Sequence, residues 1–138
     1  MRLNSLEERD QIIFGSFNPE RYLESGVRFQ SMEPETLKKL IELKYANKKD
    51  RHNEAPSIEE FLNFAAKCGK EVEIAFNGYV CPQLMESGGI IIDGVELKTE
   101  KKEQDSILLF VDTFGKASKL TTSYDLSNHS YKMQAWWD

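Results

Sequence analysis

Between Ala55 and Val80 the apolar positions change period once, and that change divides the chain. Ile58, Phe61, Leu62 and Ala65 recur at helical spacing. Val72, Ile74 and Phe76 then alternate with polar residues, as on a strand with one covered face. Local chemistry marks the ends of the helix. Ser57, with Glu60 three residues on, can form a reciprocal capping box, and Pro56 keeps the residue before it extended. Gly69 is the expected left-handed stop. A helix that runs directly into a one-sided strand needs another layer over the same apolar face.

The segments before this junction read as helical. Ser5 and Glu8 predict a second capping box and a helix to about Phe14, although Asp10 interrupts its stripe of Leu6, Ile13 and Phe17. Asn18-Pro19 predicts a short helix closed by Gly26. Val27–Gln30 fits either an extended linker or an edge strand. From Glu33 to about Asn47, Leu37, Leu40, Ile41 and Tyr45 form one face, and Lys38, Lys39, Lys44 and Lys48 cover the others. The polar connector Asn47–Ala55 is longer than the turn of a helix-turn-helix, so the two helices it joins are expected to pack on a common surface.

After Glu71 the pattern is that of strands. Ile90–Ile92 is a β-branched run, and Asp93-Gly94 suits either a hairpin turn or a bulge before Val95 and Leu97. Lys98–Asp105 is a charged loop. Ile107–Phe114 is apolar at nearly every position and reads as a covered central strand. Ser118–Tyr124 is a polar strand, Asp125–Asn128 a turn, and Tyr131, Met133, Ala135 and Trp137 share one face of a terminal strand. The fold class is therefore α+β. N-terminal helices pack on one face of a C-terminal, mostly antiparallel sheet of about four to six strands. Residues 1–138 form a single domain, helical over about 1–69 and β over about 70–138.

Composition narrows the function classes. The formal net charge of −5 disfavours nonspecific attraction to nucleic acid or anionic membrane. The acidity is uneven. Residues 1–69 carry 11 basic and 12 acidic groups, residues 70–138 carry 7 and 11. No apolar run approaches the ~20 residues that span a bilayer. The N-terminal residues lack the apolar core of a signal peptide. Cys68 and Cys81 lie thirteen residues apart with no CxxC, which predicts reduced thiols and a cytoplasmic location.

Candidate chemistry is sparse. Lys44, Lys48, Lys49 and Arg51, with Tyr45 beside them for stacking, are the candidate nucleic-acid contacts. A solvated helix end accounts for them more simply. Asp125, Ser127 and His129 have the residue types of a triad but lie within one turn, where side-chain turn bonds are the expected use. Cys68, Cys81, His52 and His129 show no metal-ligand spacing, so no metal and no cofactor are predicted. Glu86–Gly89 could form an anion nest, but it precedes a strand and not a helix. Glu71, Glu73, Asp93, Glu96, Asp105 and Asp112 are expected on the solvent side of strands.

The C-terminal Trp136-Trp137 pair is the strongest functional hint. Trp137 belongs with Met133 on the core face, which turns Trp136 outward on a strand expected at an open sheet edge. The predicted interaction residues are Trp136, Trp137 and Tyr131. The function read from the sequence is a non-catalytic protein-interaction or self-association module, its partner another protein or a second copy in a homodimer. The alternatives are an enzyme with a cleft of strand carboxylates and loop histidines, and a nucleic-acid-binding accessory protein using residues 44–52.

Overall fold

The computed structural model describes residues 6–22, 27–85, 88–100, 104–127 and 129–138, without the side chains of 82–85, 88 and 104. The elements in chain order are α1 (Leu6–Phe14), a 3-10 turn (Pro19–Tyr22), β1 (Val27–Met32), α2 (Pro34–Glu42), α3 (Ile58–Lys67), β2 (Val72–Met85), β3 (Gly88–Thr99), α4 (Gln104–Phe114), β4 (Lys119–Asp125) and β5 (Ser130–Trp136). The five strands form one antiparallel sheet in the order β1-β2-β3-β5-β4. Helices cover one face, so the α+β class holds. The expected division at residue 69 does not, because β1 lies in the helical part and α4 in the β part.

The Ala55–Val80 junction forms as its local chemistry dictates. Ser57 Oγ accepts from the Glu60 N–H at 3.3 Å, and Glu60 Oε1 accepts from the Ser57 N–H at 3.2 Å. The stop differs from expectation: Cys68 turns extended (φ −79°, ψ 150°), and among the described glycines the left-handed region is taken by Gly15 and Gly89, not Gly69. The helix ends because the chain straightens into β2. The Ser5 cap and the Gly26 stop fall outside the described residues.

α2 is shorter than its apolar pattern implies. Lys44 takes a left-handed conformation (φ 67°), its N–H bonds Ile41 O at 3.0 Å, and the Tyr45 N–H bonds Leu40 O at 2.8 Å. This is a Schellman closure with lysine in the position usually held by glycine. It folds Tyr45 back into the core, where its hydroxyl donates to Glu8 of α1 at 2.6 Å.

Ile107–Phe114 is a helix, not the expected strand. Ser106, Phe110 and Phe114 are buried at helical spacing, whereas Leu108 and Val111 face solvent. These exposed apolar residues fill the polar positions of the repeat and hide its period. Phe110 and Phe114 pack on Phe64, and Phe114 also meets Phe61 and Trp137, with ring centroids 4.8–5.7 Å apart.

Two bulges set which residues face the helices, and they flank Asn77. In β1, Phe29 pairs with Gly78 but Met32 with Phe76, leaving one extra residue, and Ser31 lies at φ 57°. In β3, Asn77 pairs with Gly94 but Gly78 with Ile92, so Asp93 is the extra residue. One inserted residue moves all later side chains to the opposite face. That is why Ile90 and Ile92 are buried on the same side as Val95, Leu97 and Thr99.

A buried polar cluster joins α1 to the 3-10 turn. Arg9 and Asp10 are fully buried, Arg9 Nε contacts Asp10 Oδ1 at 3.2 Å, and the Tyr22 hydroxyl donates to Asp10 Oδ2 at 2.6 Å. The residue that broke the apolar stripe of α1 is thus a satisfied acceptor in the interior.

Candidate functional site

The face of the sheet away from the helices carries polar residues that bond across the strands. Glu96 Oε1 of β3 accepts from Gln134 Nε2 of β5 at 2.7 Å and from Asn77 Nδ2 of β2 at 3.3 Å. Asn77 Oδ1 in turn accepts from the Ser31 N–H of β1 at 2.9 Å. Arg28 of β1 spans β2 to grip both carboxylate oxygens of Asp93, at 2.9 and 3.0 Å. The bulge that presents Asp93 to Arg28 therefore also fixes β1.

Beside this platform lies a cup of about 430 Å³, lined by Arg28, His52, Asp93, Gln134 and Trp136 among others. His52 comes from the connector before α3, and its Nδ1 lies 2.9 Å from the Tyr79 hydroxyl, ring edge to ring face. Asn53 Nδ2 sits 3.3 Å from His52 Nε2 and donates to the Asp138 carbonyl at 3.0 Å. Either the His52 ring or the Tyr79 hydroxyl can donate in this contact, according to the tautomer of the ring. Burial, followed by the charges of Asp93 and Cys81, pushes the Tyr79 phenol above its ordinary value, so it remains a donor at neutral pH. The site can offer hydrogen-bond donors and a tryptophan ring.

A larger groove of about 680 Å³ runs between the start of α2, the end of α3 and the first residues of β2. Four of its charged side chains form pairs, Lys38 with Glu35 at 3.0 Å and Lys132 with Glu96 at 4.0 Å. Among the described residues no aromatic ring lines it.

The sequence-predicted interaction residues are not brought together. Trp136 is half-buried on the open face, with the Lys119 ammonium 5.4 Å from its ring centroid. Trp137 is buried in the core against Phe61 and Phe114. Tyr131 is half-buried on the helical face, its ring 4.6 Å from that of Tyr124. The strand that carries them is internal, because β5 lies between β3 and β4. The sheet edges are β1 and β4, not the terminal strand.

The other candidates find ordinary roles. Arg51 pairs with Glu60 at 3.1 Å and Lys48 with Glu59 at 3.9 Å, so acids of α3 offset much of the basic segment. Lys44 closes α2, Lys49 sits in the following turn, and Tyr45 is buried, hence not a stacking platform. Asp125 Oδ1 accepts from both the N–H and the hydroxyl of Ser127, which is turn chemistry. His129 lies at the opposite end of β5 from His52, about 20 Å away at ~3.3 Å per strand residue. Asp105 and Asp112 are on α4 and not on strands. Burial raises the Cys68 thiol above its ordinary value, with a hydrogen bond from Ser106 opposing the shift. Among the described residues no group of three or more His, Cys, Asp or Glu could hold a metal ion, and no helix is long and apolar enough to cross a membrane.

Sequence reasoning missed Arg28, Tyr79 and Asp93 as members of one site. The one available signal was Asp93-Gly94, read as either a turn or a bulge. Set against known protein families, curated proteins and solved structures, the chain matches none.

Proposed function

We propose that this chain is a protein-binding domain that works through the open face of its sheet and performs no catalytic step. The observation that carries the reading is the convergence of Arg28 and Trp136 around one concavity, with Tyr79 in contact with His52 of its lining. Arginine, tyrosine and tryptophan are the residue types that dominate binding energy at protein interfaces. Here they stand on rigid strands, so little conformational freedom is lost when a partner docks. The side-chain amides of Asn77 and Gln134 offer donors to the partner's carbonyls, and Trp136 offers an apolar anchor. The reading places the domain in the cytoplasm, with Cys68 and Cys81 as free thiols. His52 is held by Tyr79 and Asn53, and among the described residues no serine, threonine or cysteine side chain is bonded to it, which favours binding over hydrolysis.

The test is affinity purification from the native cell with the wild type, Trp136→Ser and Arg28→Glu, each confirmed as folded by thermal melting. Binding of the recovered protein is then measured with purified components. The expected outcome is a partner retained by the wild type and lost by both variants. Equal retention by all three would remove the open face from the interface.

A further inference from the structure

The two sheet edges are not alike. β1 carries a bulge at Ser31, with Ser31's own N–H capped by Asn77, and such an irregularity blocks continued pairing. β4 has no such device. Its seven residues pair with β5 in unbroken register, and it contains no proline and no inward-pointing charge. Apart from half-buried Leu120 and Thr121, every residue of β4 is exposed. Natural sheets seldom leave a regular edge strand of this length open, since its outer row of backbone groups is a template for another strand.

The sequence of β4 is also complementary to itself. In an antiparallel pairing about a two-fold axis at Thr122, Lys119 stands opposite the partner's Asp125 and Leu120 opposite the partner's Tyr124. Thr121 then faces the partner's Ser123, and Thr122 meets its own copy. Each face-to-face pair is of a favourable kind: opposite charges, aliphatic with aromatic, hydroxyl with hydroxyl. A two-fold axis perpendicular to the sheet keeps the helical face common to both copies. Leu120 and Tyr124 lie on that face, opposite Ala135 and Tyr131, and Leu108 and Val111 of α4 are exposed on the same side. Leu126, which is 77% exposed, lies just beyond the strand end.

We infer that the chain forms a homodimer by antiparallel pairing of β4 with the β4 of a second copy, in the register that centres on Thr122. The contact is isologous, with each Lys119–Asp125 pair occurring twice. The two sheets join into one, and the open faces with their cups remain on a single side. Trp136 lies outside the ladder, but Lys119 is its cross-strand neighbour, with its ammonium 5.4 Å from the ring centroid. Thr122→Lys, on the helical face, is therefore the change that tests the dimer apart from the protein-binding role of Trp136.

Charge reversal tests it. Sedimentation equilibrium is run on the full chain for the wild type, Lys119→Asp, and the double variant Lys119→Asp with Asp125→Lys. Circular dichroism establishes that each is folded. Lys119→Asp puts two carboxylates against each other at both ends of the ladder. The expected weakening of the dimer is roughly tenfold or more, with recovery in the double variant. Should the double variant lose its fold, because Asp125 also holds the Ser127 turn, Thr122→Lys replaces it. That change sets two like charges at the two-fold axis and is expected to dissociate the dimer. A wild-type chain that remains monomeric at about 1 mM overturns the inference. So does a dimer that is as strong in both Lys119→Asp and Thr122→Lys as in the wild type, since its contact then lies elsewhere.

Discussion

The guanidinium of Arg28 and the carboxylate of Asp93 meet in two hydrogen bonds of 2.9 and 3.0 Å, although they lie 65 residues apart and on strands that are not neighbours. The bond crosses β2 and locks edge strand β1 to the bulge of β3. Its acceptor is partly shielded while Arg28 remains more than half exposed, so screening limits its worth to about 1 kcal/mol or less. Asp93→Ala should therefore leave the global melt nearly unchanged but speed hydrogen exchange of the β1 amides. Unchanged exchange in β1 would show that the bond does not hold the edge.

The bulge itself matters more than the ion pair. At Gly78, opposite the bulge, an added Cβ would collide with the Ile91 carbonyl oxygen and lie 2.9 Å from the Phe29 ring. Neither backbone nor buried ring can yield easily. Gly78→Ala is expected to cost about 2–3 kcal/mol in urea unfolding, whereas Gly69→Ala, with open space around its Cβ, should change little. Similar effects at the two sites would contradict the close approach of β2 and β3.

Phe61 sits at the centre of the aromatic core, with Phe76, Phe114 and Trp137 each 5.6–5.7 Å from its ring centroid. Phe61→Ala should cost about 3–5 kcal/mol. Leu108 belongs to the apolar run of α4 but is 62% exposed, so Leu108→Ala should stay within about 0.5 kcal/mol. A large loss at Leu108 would mean that the run is covered on both sides, as in a buried strand.

Alkaline pH should weaken the fold. Burial raises the Tyr22 phenol above its ordinary value of 10.0, the hydrogen bond to Asp10 adds to this, and Arg9 opposes it. The unfolded chain releases that proton first, so the contribution is complete below about pH 10 and is lost as pH rises through the raised folded value. Tyr79 and Cys68 shift in the same direction, also through burial. Urea unfolding followed from about pH 8 to about pH 11 should show a decline that is shallower in Tyr22→Phe. Identical slopes would exclude Tyr22 from the linkage.

Elements whose causes lie within a few residues were legible in the chain. The Ser57–Glu60 cap, the one-sided alternation of β2 and the core face of β5 all depend on nearest neighbours along a helix or strand. The end of α2 was less so, since Lys44 adopts a backbone conformation that its residue type seldom signals. α4 was misread for a related reason. Leu108 and Val111 place apolar side chains where a surface helix normally shows polar ones, and only the packing of Phe110 and Phe114 on Phe64 separates helix from strand.

The strand order and the site belong to the tertiary structure. Alternation tells which face of β5 is buried but not which strands flank it, because the ladder is built from backbone groups that every residue shares. That β5 lies inside the sheet, leaving β4 open, follows from pairings distant in sequence. The cup has the same origin. Arg28, His52, Tyr79, Asp93 and Trp136 meet because two bulges and a folded-back connector bring them to one end of the sheet. Periodicity in the chain determines which residues are covered. Long-range pairing alone decides which of the remaining residues become neighbours.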